Sequence, residues 1–195
     1  MQKIMFNDQY GLTQAVLDGR KTQTRRIAYQ EPFKFYCNCG FCPEGKDKGK
    51  LIVFIDSNEI VAKSTYKIGE VVAVAQRYSD IPYIKELHPR INTSEGWGNK
   101  MFVKSNLMPH QIMITNIRCE RLQDISTDDC MKEGIICSHI DGFDDAFSYD
   151  ATNDSKRKKW WYDSPNVAYW MLCNKLHLIW NFNTLVFVYD FELVK

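Results

Sequence analysis

Four cationic side chains, two threonines and a glycine crowd the nine residues Asp18 to Arg26, which read DGRKTQTRR. An ammonium beside a hydroxyl, with a guanidinium nearby, can hold a phosphate or carboxylate, or turn the hydroxyl into a nucleophile. On a regular strand Thr24 and Arg26 share one face while Lys21 points the other way. Lys21 meets Thr24 only where the backbone turns or bulges, and Gly19 makes such irregular geometry accessible. The competing reading is a solvated edge strand rich in charge.

The elements that must position this stretch can be read from pattern. KIMFN at the start is short and apolar, a strand. LTQAVLDGR places Leu12, Ala15 and Val16 on one helical face, with Gly19 as the stop. KTQTRRIA then reads as extended, because threonines favour strands and the charges alternate. LIVFIDSNEIVAK has two β-rich runs joined at Asp56, Ser57 and Asn58, a hairpin. YKIGEVVAVAQRY turns at Gly69 and continues as a buried strand over 71–75. Residues 77–105 carry little periodicity. HQIMITNIRCERL is a strand. Ser126 then caps a helix, with Asp129 in the capping-box position and Gly134 at the end. Ser164 and Pro165 open a longer helix, and TLVFVYDFELV closes the chain as a strand. Five or six strands, three helices and two long loops result. With strands largely consecutive, that order favours an α+β fold with a small mixed or closed barrel.

GRKTQTRR resembles the Gly-x-Lys-x-x-Thr-x-Arg signature of ASCH domains, relatives of the PUA-type RNA-binding barrels, with Gly19, Lys21, Thr24 and Arg26 on its fixed positions. YKIGEVVAVAQ, ITNIRCERLQDISTDDCMKEGI and FVYDFELV extend the likeness over most of the chain outside the loops, closest to long bacterial and phage members. The resemblance implies a PUA-like small mixed β-barrel with packed helices around a cleft. Insertions near 28–50, 77–105 and 138–163 would interrupt this single domain over residues 1–195. Small bacterial members include amidohydrolases acting on N4-acetylcytidine, and their catalytic lysine, threonine and glutamate carry over onto Lys21, Thr24 and Glu133. Lys21 would take the Thr24 proton, the hydroxyl would attack the amide carbonyl, and Glu133 would orient or shuttle a proton. Arg26, or Arg25 if the strand twists, would hold the substrate. Fold alone does not fix this chemistry. A non-catalytic RNA-binding module and a phage or mobile-element accessory protein are the alternatives.

Two further stretches carry possible chemistry. Cys37, Cys39 and Cys42 in CNCGFCPEG have a spacing that could wrap one structural Zn²⁺, with the fourth ligand supplied by the fold; free thiols are the other reading. KRKKWWYDS follows basic residues with aromatics, so Lys158, Lys159 and Trp160 could grip and stack single-stranded RNA, or the tryptophans could pack and the lysines be solvated. The four histidines form no ligand-spaced pair.

Composition bounds the rest. The 195 residues suffice for one well-buried core, and 45% hydrophobic with 25% charged residues is ordinary for a globular chain. A net charge of +1 gives no global attraction to nucleic acid, so any RNA or modified-nucleoside binding must come from a local patch. No apolar run reaches membrane-spanning length and no signal-peptide core opens the chain, so a cytoplasmic protein without membrane partners is expected. No cofactor is required by this chemistry, and a protein partner stays open.

Overall fold

A computed structural model describes residues 1–30, 38–55, 59–140, 147–150, 161–178 and 184–194. Its main sheet has the order β1 (Lys3–Ile4), β6 (Val71–Val74), β7 (Gln111–Arg121), β10 (Thr184–Leu193) and β2 (Gln23–Gln30). β1 runs parallel to β6 and every other pairing is antiparallel. The α+β class holds. The five strands leave β1 and β2 as edges, so no closed barrel forms among the described residues.

β10 is an interior strand, between β7 and β2, and its middle is apolar on both faces. Val186 and Val188 alternate with Phe187 and Tyr189, and all four are buried. Its register sorts the neighbouring side chains. Val188 stands opposite Arg25 and Arg118, and Asp190 opposite Gln23 and Asn116, on one face. Tyr189 stands opposite Thr24 and Ile117, and Phe187 opposite Arg26 and Cys119, on the other.

The loops hold more structure than their sequence suggests. β3 (Asn38–Phe41) joins β4 (Leu51–Ile55) and β5 (Glu59–Lys63) in a second sheet. The β4–β5 antiparallel pairing bears out the hairpin, although its turn lies outside the described residues. β8 (Ile136–His139) and β9 (Phe147–Asp150) form another hairpin where only irregular chain was expected. Those strands are four residues each and bury only Asp150, so they lack the apolar run that sequence reading needs. Residues 77–108 fold into 3-10 turns and a short helix, α2 (Ile84–Leu87), around a core of their own that includes Tyr78, Ile81, Ile84, Ile91 and Val103. Lys3 Nζ ties this excursion down by donating to the carbonyls of Met101 and Val103.

Three helices follow their caps. α1 (Leu12–Leu17) buries Leu12, Ala15 and Val16 and gives way to Gly19 at φ +72°. α3 (Thr127–Lys132) starts where the Ser126 hydroxyl accepts from Asp129 N. α4 (Pro165–Lys175) starts on Ser164, which accepts from Val167 N, with Pro165 at its first position. No helix among the described residues is long and apolar enough to cross a membrane.

Candidate functional site

The signature stretch enters β2 through a turn. Arg20 N and Lys21 N both donate to Ala15 O, and Thr22 N donates to Lys132 O, which holds the approach to β2 against α1 and the end of α3. Lys21 therefore sits before the strand. Its Nζ donates to the backbone carbonyl of Glu133 at 2.8 Å and to the Glu133 carboxylate. The pair is almost wholly buried, with side-chain exposures of 2% and 5%. Glu133 is the C-terminal cap of α3, so the ammonium also meets the negative end of that helix. Burial pushes the Lys21 ammonium below its ordinary pKa; the Glu133 charge and hydrogen bond oppose this, and Arg26 and Arg25 add to it.

The approach of α3 to Lys21 depends on Gly134. Its φ is +99°, and a Cβ placed there would lie 3.4 Å from the Lys21 Cβ. Only glycine ends the helix this way without strain or crowding.

Arg25 takes a different role from the one expected. Its guanidinium donates to both the Glu133 and Asp129 carboxylates, to Glu120 and to the Gln23 carbonyl, with side-chain exposure of 1%. Arg118 continues the chain of charges by donating to Glu120, Asp129 and Asp190, and Gln23 donates to Asp129 and Asp190. This network lies on one face of β2, β10 and β7 and closes against α3. Burial raises the Asp129 pKa, but the hydrogen bond from Gln23 and the cations of Arg118 and Arg25 outweigh it and leave the carboxyl below its ordinary value. Arg25 is thus a buried clamp on Glu133, and its donors meet protein carboxylates and the Gln23 side-chain oxygen.

Strand alternation puts Thr24 and Arg26 on the other face, as the sequence indicates. Thr24 is buried, and its hydroxyl makes no hydrogen bond among the described residues. Lys21 Nζ therefore bonds Glu133 and does not bond Thr24. Arg26 donates to Met5 O at 2.7 Å, lies 5.8 Å from the Phe6 ring centroid, and has no carboxylate partner among the described residues. Because β2 is an edge strand, side chains from both faces reach one cleft of about 680 Å³. Lys21, Thr24, Arg25, Arg26 and Glu133 all line it, so the structure brings the sequence-derived set together.

The cleft has other walls that the sequence left unassigned. Phe6, Lys100, Tyr169, Leu172 and Cys173 line it. Lys100 arrives from the excursion and is engaged with Phe6 O, Asp8 and Thr13. Tyr169 is buried on α4, with Arg25 6.0 Å from its ring centroid. Burial pushes the Cys173 thiol up to about 12, which removes it as a nucleophile near neutral pH. The one sequence signal for the network was polarity out of place: Asp190 in an otherwise apolar strand, with Arg118 and Glu120 two residues apart.

The remaining sequence candidates stand elsewhere. Lys158, Lys159 and Trp160 lie outside the described residues, as does Cys37. Cys42 Sγ donates to Glu44 O, while the exposed Cys39 hydrogen-bonds the Cys119 thiol, which lowers the Cys39 pKa against the effect of burial. Among the described residues no group of three or more His, Cys, Asp or Glu side chains is placed to hold a metal ion.

Comparison with known protein families, with curated proteins and with solved structures gives no match.

Proposed function

We propose that the cleft binds a modified nucleoside, free or within RNA, and hydrolyses an acyl amide on its base, in the manner of an ASCH-like, PUA-related amidohydrolase acting on N4-acetylcytidine. The observation that carries this reading is the buried Lys21–Glu133 pair on the wall of a cleft that also presents an unbonded Thr24 hydroxyl. A lysine lowered by burial is closer to the neutral form that accepts a proton. The Thr24 hydroxyl gives its proton to neutral Lys21 as its oxygen attacks the amide carbonyl, and the bond to the base nitrogen breaks as that nitrogen takes the proton from the Lys21 ammonium. Water then releases the acyl group from Thr24. Arg26, a cleft cation without a carboxylate partner among the described residues, faces the anionic or carbonyl part of the substrate.

A second reading has its own observation. Lys21 is hydrogen-bonded to Glu133 and not to Thr24. In a protein that only binds a nucleoside or RNA, that pairing needs no rearrangement.

Hydrolysis of N4-acetylcytidine and related acylated nucleosides, followed by chromatography, separates the two. The amidohydrolase reading expects turnover by the intact protein and a loss of about a hundredfold or more in Lys21→Ala and in Thr24→Ala. Saturable nucleoside or RNA binding, weakened by Arg26→Ala but without turnover, leaves the binding module. Neither turnover nor binding by folded protein removes both.

A further inference from the structure

The geometry points to a second ligand site, in the 77–108 excursion, for a small organic anion with a flat apolar body. A pocket of about 510 Å³ opens there, within the size range of small-molecule sites, and shares no lining residue with the cleft. Its apolar lining includes Tyr78, Leu87, Ile91 and Leu107. Leu87 is 64% exposed, a large apolar side chain left uncovered beside a concave surface. The Tyr78 ring is fixed from behind, because it is buried and its hydroxyl accepts from Lys104 N at 2.7 Å. The pocket therefore has a floor held in place by the core of the excursion.

Charge decides the kind of occupant. Arg90 and Lys104 line the pocket, and among the described residues no Asp or Glu does. Neighbouring cations of the excursion have partners: Arg77 pairs with Asp80, and Lys85 sits 4.7 Å from the Trp97 ring centroid. The Arg90 and Lys104 side chains have neither a hydrogen bond nor an ion pair among the described residues. Two free cations at the edge of an apolar hollow suit a carboxylate, sulfonate or phosphate joined to an aromatic or similarly flat body. The body covers Leu87 and Ile91, and the acid group meets Arg90 and Lys104.

Fluorescence titration of the full chain with 8-anilinonaphthalene-1-sulfonate, beside its uncharged relative N-phenyl-1-naphthylamine, tests this. One saturable site per chain is expected, with the sulfonate bound about tenfold tighter than the neutral dye, a difference of about 1.4 kcal/mol. Arg90→Gln with Lys104→Gln should remove that preference, while Arg26→Gln in the cleft should leave it intact. Both substituted side chains are exposed and unpaired, so the variant should melt like the parent, and circular dichroism checks that it does. Equal affinity for the two dyes, absence of a saturable site, or a preference lost in Arg26→Gln and kept in the double variant would each overturn the proposal.

Discussion

Glu133 answers to two cations, whereas Lys21 answers to one carboxylate. Removing the two members of the pair should therefore have unequal effects. Glu133→Gln leaves Lys21 and Arg25 buried and undercompensated, and should destabilise by about 3 kcal/mol or more. Lys21→Met leaves Glu133 still paired with Arg25 and should destabilise less; urea unfolding of both variants measures the order. Asp129 supplies the pH dependence at this scale. Its folded-state pKa is depressed, so the stability it contributes is present above the ordinary carboxylate range and is lost as pH falls through the folded value. The parent should lose stability below about pH 4, and Asp129→Asn should flatten that limb of the urea midpoint against pH. Lys21 acts at the other end. Its lowered pKa means the unfolded chain holds more protons between the folded and unfolded values, so this residue favours folding increasingly as pH rises through that window.

Among the elements, α3 shows what local sequence can and cannot convey. Ser126, the Asp129 backbone amide and Gly134 behave as the capping pattern indicates, because those contacts lie within one helix. The Asp129 carboxylate does not complete a capping box with Ser126. It turns to Gln23, Arg25 and Arg118, which arrive from β2 and β7, and no local pattern announces partners up to 106 residues away. For the same reason Arg25 reads from sequence as a ligand-binding cation. Its partners Glu120 and Glu133 are distant in the chain; the pairing of β2 with β10, and of β10 with β7, brings Glu120 to it, and the end of α3 held against the approach to β2 brings Glu133. The alternation of Thr24 and Arg26 against their neighbours was legible, since it follows from strand geometry alone. At Gly134 the element and the site meet. Gly134→Ala should cost about 1–2 kcal/mol from its backbone conformation and displace Lys21 besides, measured as a lower melting temperature and weaker nucleoside binding.

For the whole molecule, the excursion is attached to the start of the chain at several points, and Lys100 is the attachment that reaches the cleft. Lys100→Ala removes its bonds to Phe6 O, Asp8 and Thr13. Hydrogen exchange should then quicken over residues 99–107, while amides of β7 and β10 keep their protection. Protection unchanged everywhere would show that the excursion holds without this lysine. The composition had excluded a global attraction to nucleic acid, and the structure places opposite charges next to one another across the sheet; among the described residues the two pockets discussed above each keep cations with no carboxylate partner, Arg26 at the cleft and Arg90 and Lys104 in the excursion.

β10 is the last described strand in the chain and lies between β7 and β2 in the sheet. During synthesis from the N-terminus, Lys21, Thr24 and Arg25 emerge about 160 residues before the strand that will hold β2 in place. Over that interval the edge of β2 has no neighbour on its β10 side, and the carboxylates of Glu120 and Asp129 appear before Asp190 can join them. The cleft is thus incomplete until β10 has paired with β2, and a chain cut before residue 184 carries the whole signature without the strand that holds it in place.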